Sequence, residues 1–137
     1  MLHLRESAFK AMVAHAYDGL PNEACGLLAG THDRGELFVP CRNADASSRT
    51  FSLGPDAWEA VDTEIDARGL TVLGVVHSHT HTEAYPSPTD VAQAQNPFLG
   101  GWRWLLVSLR QPEPVVRSYV IPDEHTVVEE QISLLAG

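Results

Sequence analysis

The chain has 137 residues, of which 44% are hydrophobic and 20% charged, and this is the composition of a globular protein. The formal net charge is -9 and no cluster of Lys or Arg is present, which argues against a nucleic acid or an anionic membrane as partner. The sequence contains no apolar run of about 20 residues and no basic, apolar leader. We therefore expect a cytoplasmic protein with a single domain over residues 1–137.

The first predicted elements are a helix and a hairpin. Apolar residues at intervals of three and four predict a helix from about Glu6 to Asp18, ended by Gly19 and Pro21. Strands are predicted over Cys25 to Ala29 and Glu36 to Cys41, with turn residues over Gly30 to Gly35 between them. We assign the following residues to the apolar stripe of the helix: Phe9, Met12, Val13, Ala16, Tyr17 and Leu20.

The only cysteines are Cys25 and Cys41, and they form neither a Cys-x-x-Cys pair nor a disulfide framework. A hairpin turning near Asp33 would place them nearly opposite each other, because both positions are equally distant from it. In a reducing cytosol both thiols should stay unbonded. His15 stands alone without ligand spacing, so we interpret it as structural or solvent-facing.

A second helix follows a polar loop. Thr50 to Leu53 is a candidate short strand after the loop, and Pro55 with Asp56 is typical of a helix start. Gly69 should end this helix. Its predicted buried stripe consists of Trp58, Val61 and Ile65.

The second half of the chain is predicted to be mainly strands. Thr71 to Val76 is apolar and β-branched, as expected for a strand buried on both faces. A helix should begin near Ser87, and the loop from Asn96 to Gly101 either borders a substrate groove or caps the core. Three further strands are predicted: Trp102 to Leu109, Val115 to Ile121 and Val127 to Ile132. Together the elements predict an α/β fold with helices on both sides of a mixed sheet.

Metal-binding side chains crowd at one place in this pattern. His77 and His79 follow the apolar strand, and side chains two apart on an extended chain point to the same side. Asp90 lies in the first turn of the helix that begins at Ser87. Zn²⁺ accepts imidazole nitrogens and a carboxylate oxygen, and a catalytic site leaves its fourth position to water.

Spacing alone leaves other interpretations open. A His-x-His pair at a strand end is often chance, and Ser87 with Asp90 is often only a helix cap. His81 also falls on the same side of an extended chain, so His77, His79 and His81 form an alternative set of ligands.

The sequence His77-Ser78-His79, followed by seven residues, Ser87, two residues and Asp90, resembles the JAMM (MPN+) motif of zinc metallopeptidases. These enzymes cut bonds at the C-terminus of ubiquitin-like proteins. The segments 21–30 and 40–44 look most like the actinobacterial branch typified by the CysO-cysteine peptidase. The resemblance extends over nearly the whole chain.

The resemblance implies an MPN/JAMM fold, which is cytidine-deaminase-like, although the H-x-E and P-C-x-x-C signature of deaminases is absent. It implies Zn²⁺ bound by His77, His79 and Asp90, with Glu23 as general acid and base and Ser87 as a hydrogen-bond donor to the oxyanion. All five motif positions match, which argues against a non-catalytic MPN scaffold.

The resemblance also implies a substrate and partner. We expect hydrolysis after the C-terminal Gly-Gly of a ubiquitin-like sulfur carrier protein, with release of cysteine. Trimming of a carrier precursor and removal of a ubiquitin-like tag from lysine are the alternatives. The pathway, whether cysteine biosynthesis or a secondary-metabolite route, stays open, and a homodimer is a further expectation.

Overall fold

The computed structural model describes residues 1–137 and contains one mixed sheet of eight strands. None of its helices is both long and apolar enough to cross a membrane. The helices are α1 (Glu6–Asp18), α2 (Pro55–Ala60) and α3 (Pro88–Ala94). The strands are β1 (Leu2–Arg5), β2 (Cys25–Thr31), β3 (Arg34–Cys41), β4 (Thr71–His79), β5 (Arg103–Ser108), β6 (Val115–Asp123), β7 (Thr126–Glu130) and β8 (Ile132–Leu135).

The strand order across the sheet is β7-β6-β5-β4-β2-β3-β1-β8, so β4 lies near the middle. Strand β4 pairs with β5 in parallel and with β2 in antiparallel orientation. Gly74 allows the close approach to β5, because a Cβ atom there would lie 2.5 Å from the carbonyl oxygen of Arg103. Strand β4 is therefore hydrogen-bonded to a neighbouring strand on each side, and its C-terminal end lies at a buried position.

Each face of the sheet carries its own apolar core, and the predicted placement of helices on both sides is confirmed. Helix α1 buries Met12 and Ala16 against one face, together with Leu28 and Leu105. Helix α2 covers the other face, where Trp104 and Leu106 are buried. From Gly74 onward the side chains of β4 alternate between these two cores, with Val75 in one and Val76 in the other, as expected for a strand buried on both faces; a β-bulge at Leu73 interrupts the alternation before that.

The predicted hairpin between β2 and β3 is present, but its turn is shorter than expected. The ladder continues to Thr31 and resumes at Arg34, so only His32 and Asp33 make the turn. Cys25 lies opposite Cys41 in this register, as predicted, and both thiols are free. His15 is structural, because its Nε2 lies 3.0 Å from the Cys25 carbonyl oxygen.

The second helix differs from the prediction. After α2 the chain forms a π-helical turn over Val61–Ile65 and a 3₁₀ turn over Asp66–Arg68, and Gly69 ends it in the left-handed conformation. The assignment of Trp58 to the buried stripe is wrong, since 43% of this residue is exposed. Its ring packs against that of Trp102 at 6.1 Å between centroids, so it lies at the rim of the core.

The structure differs from three further predictions. Tyr17 and Leu20 are 43% and 46% exposed, so neither belongs to the buried stripe of α1. The candidate strand near Thr50 is only an isolated bridge between Asn43 and Leu53. The last predicted strand divides into β7 and β8, and the structure also contains β1, which the sequence pattern did not predict.

Candidate active site

Two imidazoles and one carboxylate meet at the C-terminal end of β4. The Nε2 atoms of His77 and His79 are 3.2 Å apart. Each lies 3.1 Å from a different carboxylate oxygen of Asp90, which enters from the first turn of α3. All three residues are buried, and one ligand atom from each falls within 4.8 Å of the others. We call these three residues the metal group.

A hydrogen bond to the backbone fixes the tautomer of the His79 ring. Its Nδ1 lies 2.9 Å from the carbonyl oxygen of Glu83. A carbonyl only accepts, so Nδ1 carries the proton and the neutral ring presents an Nε2 lone pair to the metal group. This lone pair faces a carboxylate oxygen and a second imidazole, an arrangement that a metal cation would complete. The donor set of two imidazoles and one carboxylate fits zinc.

The pKa shifts of Asp90 and His79 also indicate that the metal group stabilises positive charge. Burial opposes ionisation of Asp90, yet its hydrogen bonds with the two imidazoles outweigh burial and lower the pKa of the carboxyl well below its usual range. Burial lowers the pKa of His77. Burial acts in the same direction on His79, but its bonds to Asp90 and the Glu83 carbonyl prevail and raise its pKa. The anionic form of Asp90 is therefore the stable one.

Helix α3 supplies Asp90 in one fixed position. Ser87 is the N-cap, and its Oγ accepts a hydrogen bond from the Asp90 backbone N–H at 3.1 Å. The Asp90 carboxylate accepts one in return from the Ser87 backbone N–H at 2.9 Å. This capping box confirms the helix start expected from Ser87-x-x-Asp90. The same carboxylate thus caps the helix and faces the imidazoles.

Glu23 lies just before β2 and is only 6% exposed. The ladder between β2 and β4 continues past the strand, because Ser78 N–H donates to the Ala24 carbonyl at 2.9 Å. The Ser78 hydroxyl accepts from the Ala24 backbone N–H at 2.8 Å. Since Ser78 stands between His77 and His79, these two bonds fix Glu23 relative to the metal group.

Burial raises the pKa of the Glu23 carboxyl to about 7. The charge on His79 lowers this pKa, whereas the charges on Asp90 and Asp45 raise it further. A carboxyl with a pKa near neutrality can both accept and release a proton at neutral pH.

Two aromatic residues hold the His77 ring. Phe51 stacks on it at 4.2 Å between centroids, and Trp104 meets it edge-on at 5.7 Å. Both aromatic residues also line an apolar cavity of about 540 Å³ beside the site, which Leu99 lines as well. Leu99 is buried in the core while Phe98 is 82% exposed, so the 96–101 loop both caps the core and borders this cavity.

The structure brings together the residues predicted from the motif and leaves His81 apart. His81 is exposed and does not belong to the metal group. The sequence did not reveal Phe51 or Ser78 as contributors. Strand alternation turns the Ser78 side chain away from the metal-group side of β4. The one sign of its contribution in the sequence is that a hydroxyl residue stands between the two histidine ligands.

Residues 5–122 match the family model described as prokaryotic homologs of the JAB domain. The chain belongs to this family, and the predicted JAMM fold is confirmed. Its membership and the donor set of the metal group also confirm the predicted zinc metallopeptidase.

Particular relatives support this assignment. The chain is 40% identical to the CysO-cysteine peptidase of Mycobacterium tuberculosis, over 98% of this chain and 92% of that protein. It is 27% identical to a probable TtuB-protein conjugate cleaving protease of Thermus thermophilus, over 93% of this chain and 80% of that one. The solution structure of protein DSY2949 from Desulfitobacterium hafniense superimposes with a TM-score of 0.89 at 35% identity, covering 100% of this chain and 94% of that one.

Proposed function

We propose that this chain hydrolyses the bond after the C-terminal Gly-Gly of a ubiquitin-like sulfur carrier protein and releases cysteine. The observation that carries the proposal is the 40% identity, over nearly the full length of both chains, to a relative named CysO-cysteine peptidase. The metal group with Glu23 beside it supports a peptidase, since the two supply a cation site and a proton acceptor.

In this proposal His77, His79 and Asp90 hold the zinc ion. Zinc is a Lewis acid that lowers the pKa of water to about 7 and polarises a carbonyl. Two of the three ligands are already held in place, because the Glu83 carbonyl fixes the His79 tautomer and the capping box fixes Asp90. Little reorganisation is then needed when the metal binds.

Glu23 is the proposed general base and acid. Its carboxylate takes a proton from the attacking water as the water oxygen forms a bond to the carbonyl carbon of the second glycine, and the C–N bond after that glycine breaks in the following step. The same proton then goes to the leaving amine of cysteine, so the carrier regains a carboxylate and the base returns to its ionised form. A pKa of about 7 suits both transfers.

Ser87 is the proposed donor to the carbonyl oxygen as that oxygen gains negative charge. The hydroxyl oxygen uses one lone pair to accept the Asp90 N–H, at 3.1 Å. This bond leaves the hydroxyl proton free for a different partner, so capping and donation do not compete.

Access to the buried ligands supports the proposed substrate. A carbonyl can reach buried ligands only on a slender, extended tail, and two glycines supply one. The test is incubation of the zinc-loaded protein with a carrier ending in Gly-Gly-Cys, followed by intact-protein mass spectrometry. We expect loss of one cysteine residue, which a zinc chelator prevents.

The matched control is Glu23→Gln, which keeps the size of the side chain but removes the base. Zinc content should stay at one per chain while turnover falls by on the order of a hundredfold or more. Normal turnover by this variant would assign the base to another residue.

A second candidate function is release of a ubiquitin-like tag from a lysine side chain. The similarity to a relative named a probable TtuB-protein conjugate cleaving protease favours it. Zinc-loaded protein that leaves the Gly-Gly-Cys conjugate intact but cuts a Gly-Gly-lysine isopeptide would support this second function over the first.

A further inference from the structure

The segment from Asn43 to Leu53, here the 43–53 loop, contacts every part of the chain that supplies a site residue. Its Ser47 carbonyl accepts the Glu23 N–H at 2.8 Å, and its Ser48 carbonyl accepts the Thr80 hydroxyl at 3.1 Å, next to His79. Phe51 of the loop contacts two further site segments. Its ring stacks on His77 of β4, and its carbonyl oxygen accepts a hydrogen bond from the Gln93 side chain of α3 at 2.9 Å. Besides the bonds between Ser78 and Ala24, this loop therefore gives a second connection between the base and the metal ligands.

The side chain of Asn43 organises this loop. Its Nδ2 donates to the carbonyl oxygens of Glu23 and Thr50, at 3.0 and 2.9 Å. Its Oδ1 accepts from the backbone N–H groups of Asp45 and Ser52, at 3.0 and 3.2 Å. An amide has two N–H donors and two lone pairs, so each of its four places is used.

These bonds connect Glu23 to the loop from two sides. Glu23 donates its N–H to Ser47 and accepts at its carbonyl from Asn43. A side chain that can only donate or only accept hydrogen bonds cannot satisfy both the N–H groups and the carbonyl oxygens around it. At least two of these partners would then lose their hydrogen bonds.

We propose that Asn43 is a positioning residue, which holds the general base Glu23 in register with the metal group through the 43–53 loop. This inference deepens the proposed function and rests on it for the role of Glu23. Asn43 itself does not touch the metal group and supplies no proton. Its effect is on the geometry of proton transfer, where a small displacement of the base is costly.

The first test replaces Asn43 with Asp, which keeps the shape and the acceptor but removes both N–H donors. With the Gly-Gly-Cys conjugate we expect kcat to fall about tenfold or more and KM to change by less than about threefold. Zinc content should stay at one per chain, because the three ligands lie on β4 and α3. Asn43→Ser serves as a milder variant should the Asp variant fold poorly.

The decisive measurement is the double variant. If Asn43 acts through Glu23, the kcat of Glu23→Gln/Asn43→Asp equals that of Glu23→Gln alone. Equal fractional losses from Asn43→Asp in both backgrounds would overturn the proposal. Asp123→Ala is the matched control, because Asp123 likewise accepts from a backbone N–H of its own turn, at 2.8 Å, but far along the chain from the site. We expect this control to leave kcat unchanged.

Hydrogen exchange supplies a readout that needs no substrate. The amide of Glu23 should exchange faster by tenfold or more in Asn43→Asp than in the unchanged protein, because its acceptor Ser47 lies in the loop that loses both donated bonds, with the amides of β5 unaffected. Unchanged protection at Glu23 would overturn the proposal. Failure of the unchanged protein to cut the conjugate would instead contradict the proposed function, so the two failures are distinguishable.

Discussion

Charge at individual residues decides which side chains can bind a metal and which can move a proton. In the metal group two imidazoles each lie in direct contact with one ionised carboxylate. Together these three side chains stabilise a positive charge placed between them. Glu23 is the opposite case, since burial raises the pKa of its carboxyl to about 7. One buried carboxylate is thus held ionised while the other is held near its point of titration.

The set of ligands leads to a prediction about zinc content. His77→Ala and Asp90→Ala each remove one of three buried ligand atoms, so either variant should lose most of its zinc. His81→Ala should keep about one zinc per chain, because His81 lies outside the metal group. Elemental analysis of the three purified variants measures this. Zinc loss from His81→Ala would favour the alternative set of three histidines.

Glu23 leads to a prediction about stability and pH in the metal-free protein. Its pKa rises from 4.5 in the unfolded reference to about 7 in the folded state, so the folded state binds more protons between these values. The free energy of unfolding should therefore decrease as pH rises from about 4.5 to about 7, by up to about 3 kcal/mol from this group.

In Glu23→Gln this loss should be absent. The variant should match the unchanged protein below about pH 4.5 and be more stable above pH 7. Urea denaturation in the presence of a chelator, at a series of pH values, measures the difference. A difference that does not vary with pH would show that Glu23 titrates normally in the folded chain.

Among the elements, α3 is the one whose first turn combines two functions. Ser87 caps the helix and is the proposed donor to the substrate oxygen, and Asn is as good an N-cap as Ser. Ser87→Asn should keep the melting temperature but lower kcat by about tenfold or more, whereas Ser87→Ala should lose both activity and about 1 kcal/mol of stability. Thermal scans and kinetics on zinc-loaded protein separate the two functions. Full activity in Ser87→Asn would limit Ser87 to capping.

The same elements show what sequence patterns can and cannot predict. Alternation along β4 placed His77 and His79 on one side, and the Ser87-x-x-Asp90 spacing placed the third ligand, because both signals are local. Strand β1 has only four residues and gains its stability from partners far along the chain, so no local pattern reveals it. The four bonds of Asn43 likewise depend on the tertiary fold.

The whole molecule should respond to metal as a unit. The metal group joins β4 to α3, two elements that also contact Phe51 of the 43–53 loop. A ligand that binds only the folded state stabilises it by mass action, so the melting temperature should rise with zinc concentration in the metal-free protein. His77→Ala should show no such rise at the same concentrations. Differential scanning calorimetry measures both, and an equal rise in His77→Ala would indicate binding elsewhere.

Assignment of residues 1–137 to a single domain and assembly into a homodimer remain predictions. Sedimentation velocity of the purified protein determines its mass in solution and so tests the second of them. The open edges of the sheet are β7 and β8, since each has a partner on one side only.

Strand β8 covers the outer edge of β1. It covers β1 through a four-residue parallel ladder, from Leu2 opposite Ile132 to Arg5 opposite Leu135. If β8 detaches, the backbone groups of β1 lose these partners and become a template on which a foreign strand can pair. Pairing of β1 therefore depends on β8, and a nascent chain can complete this ladder only when β8 has been synthesised.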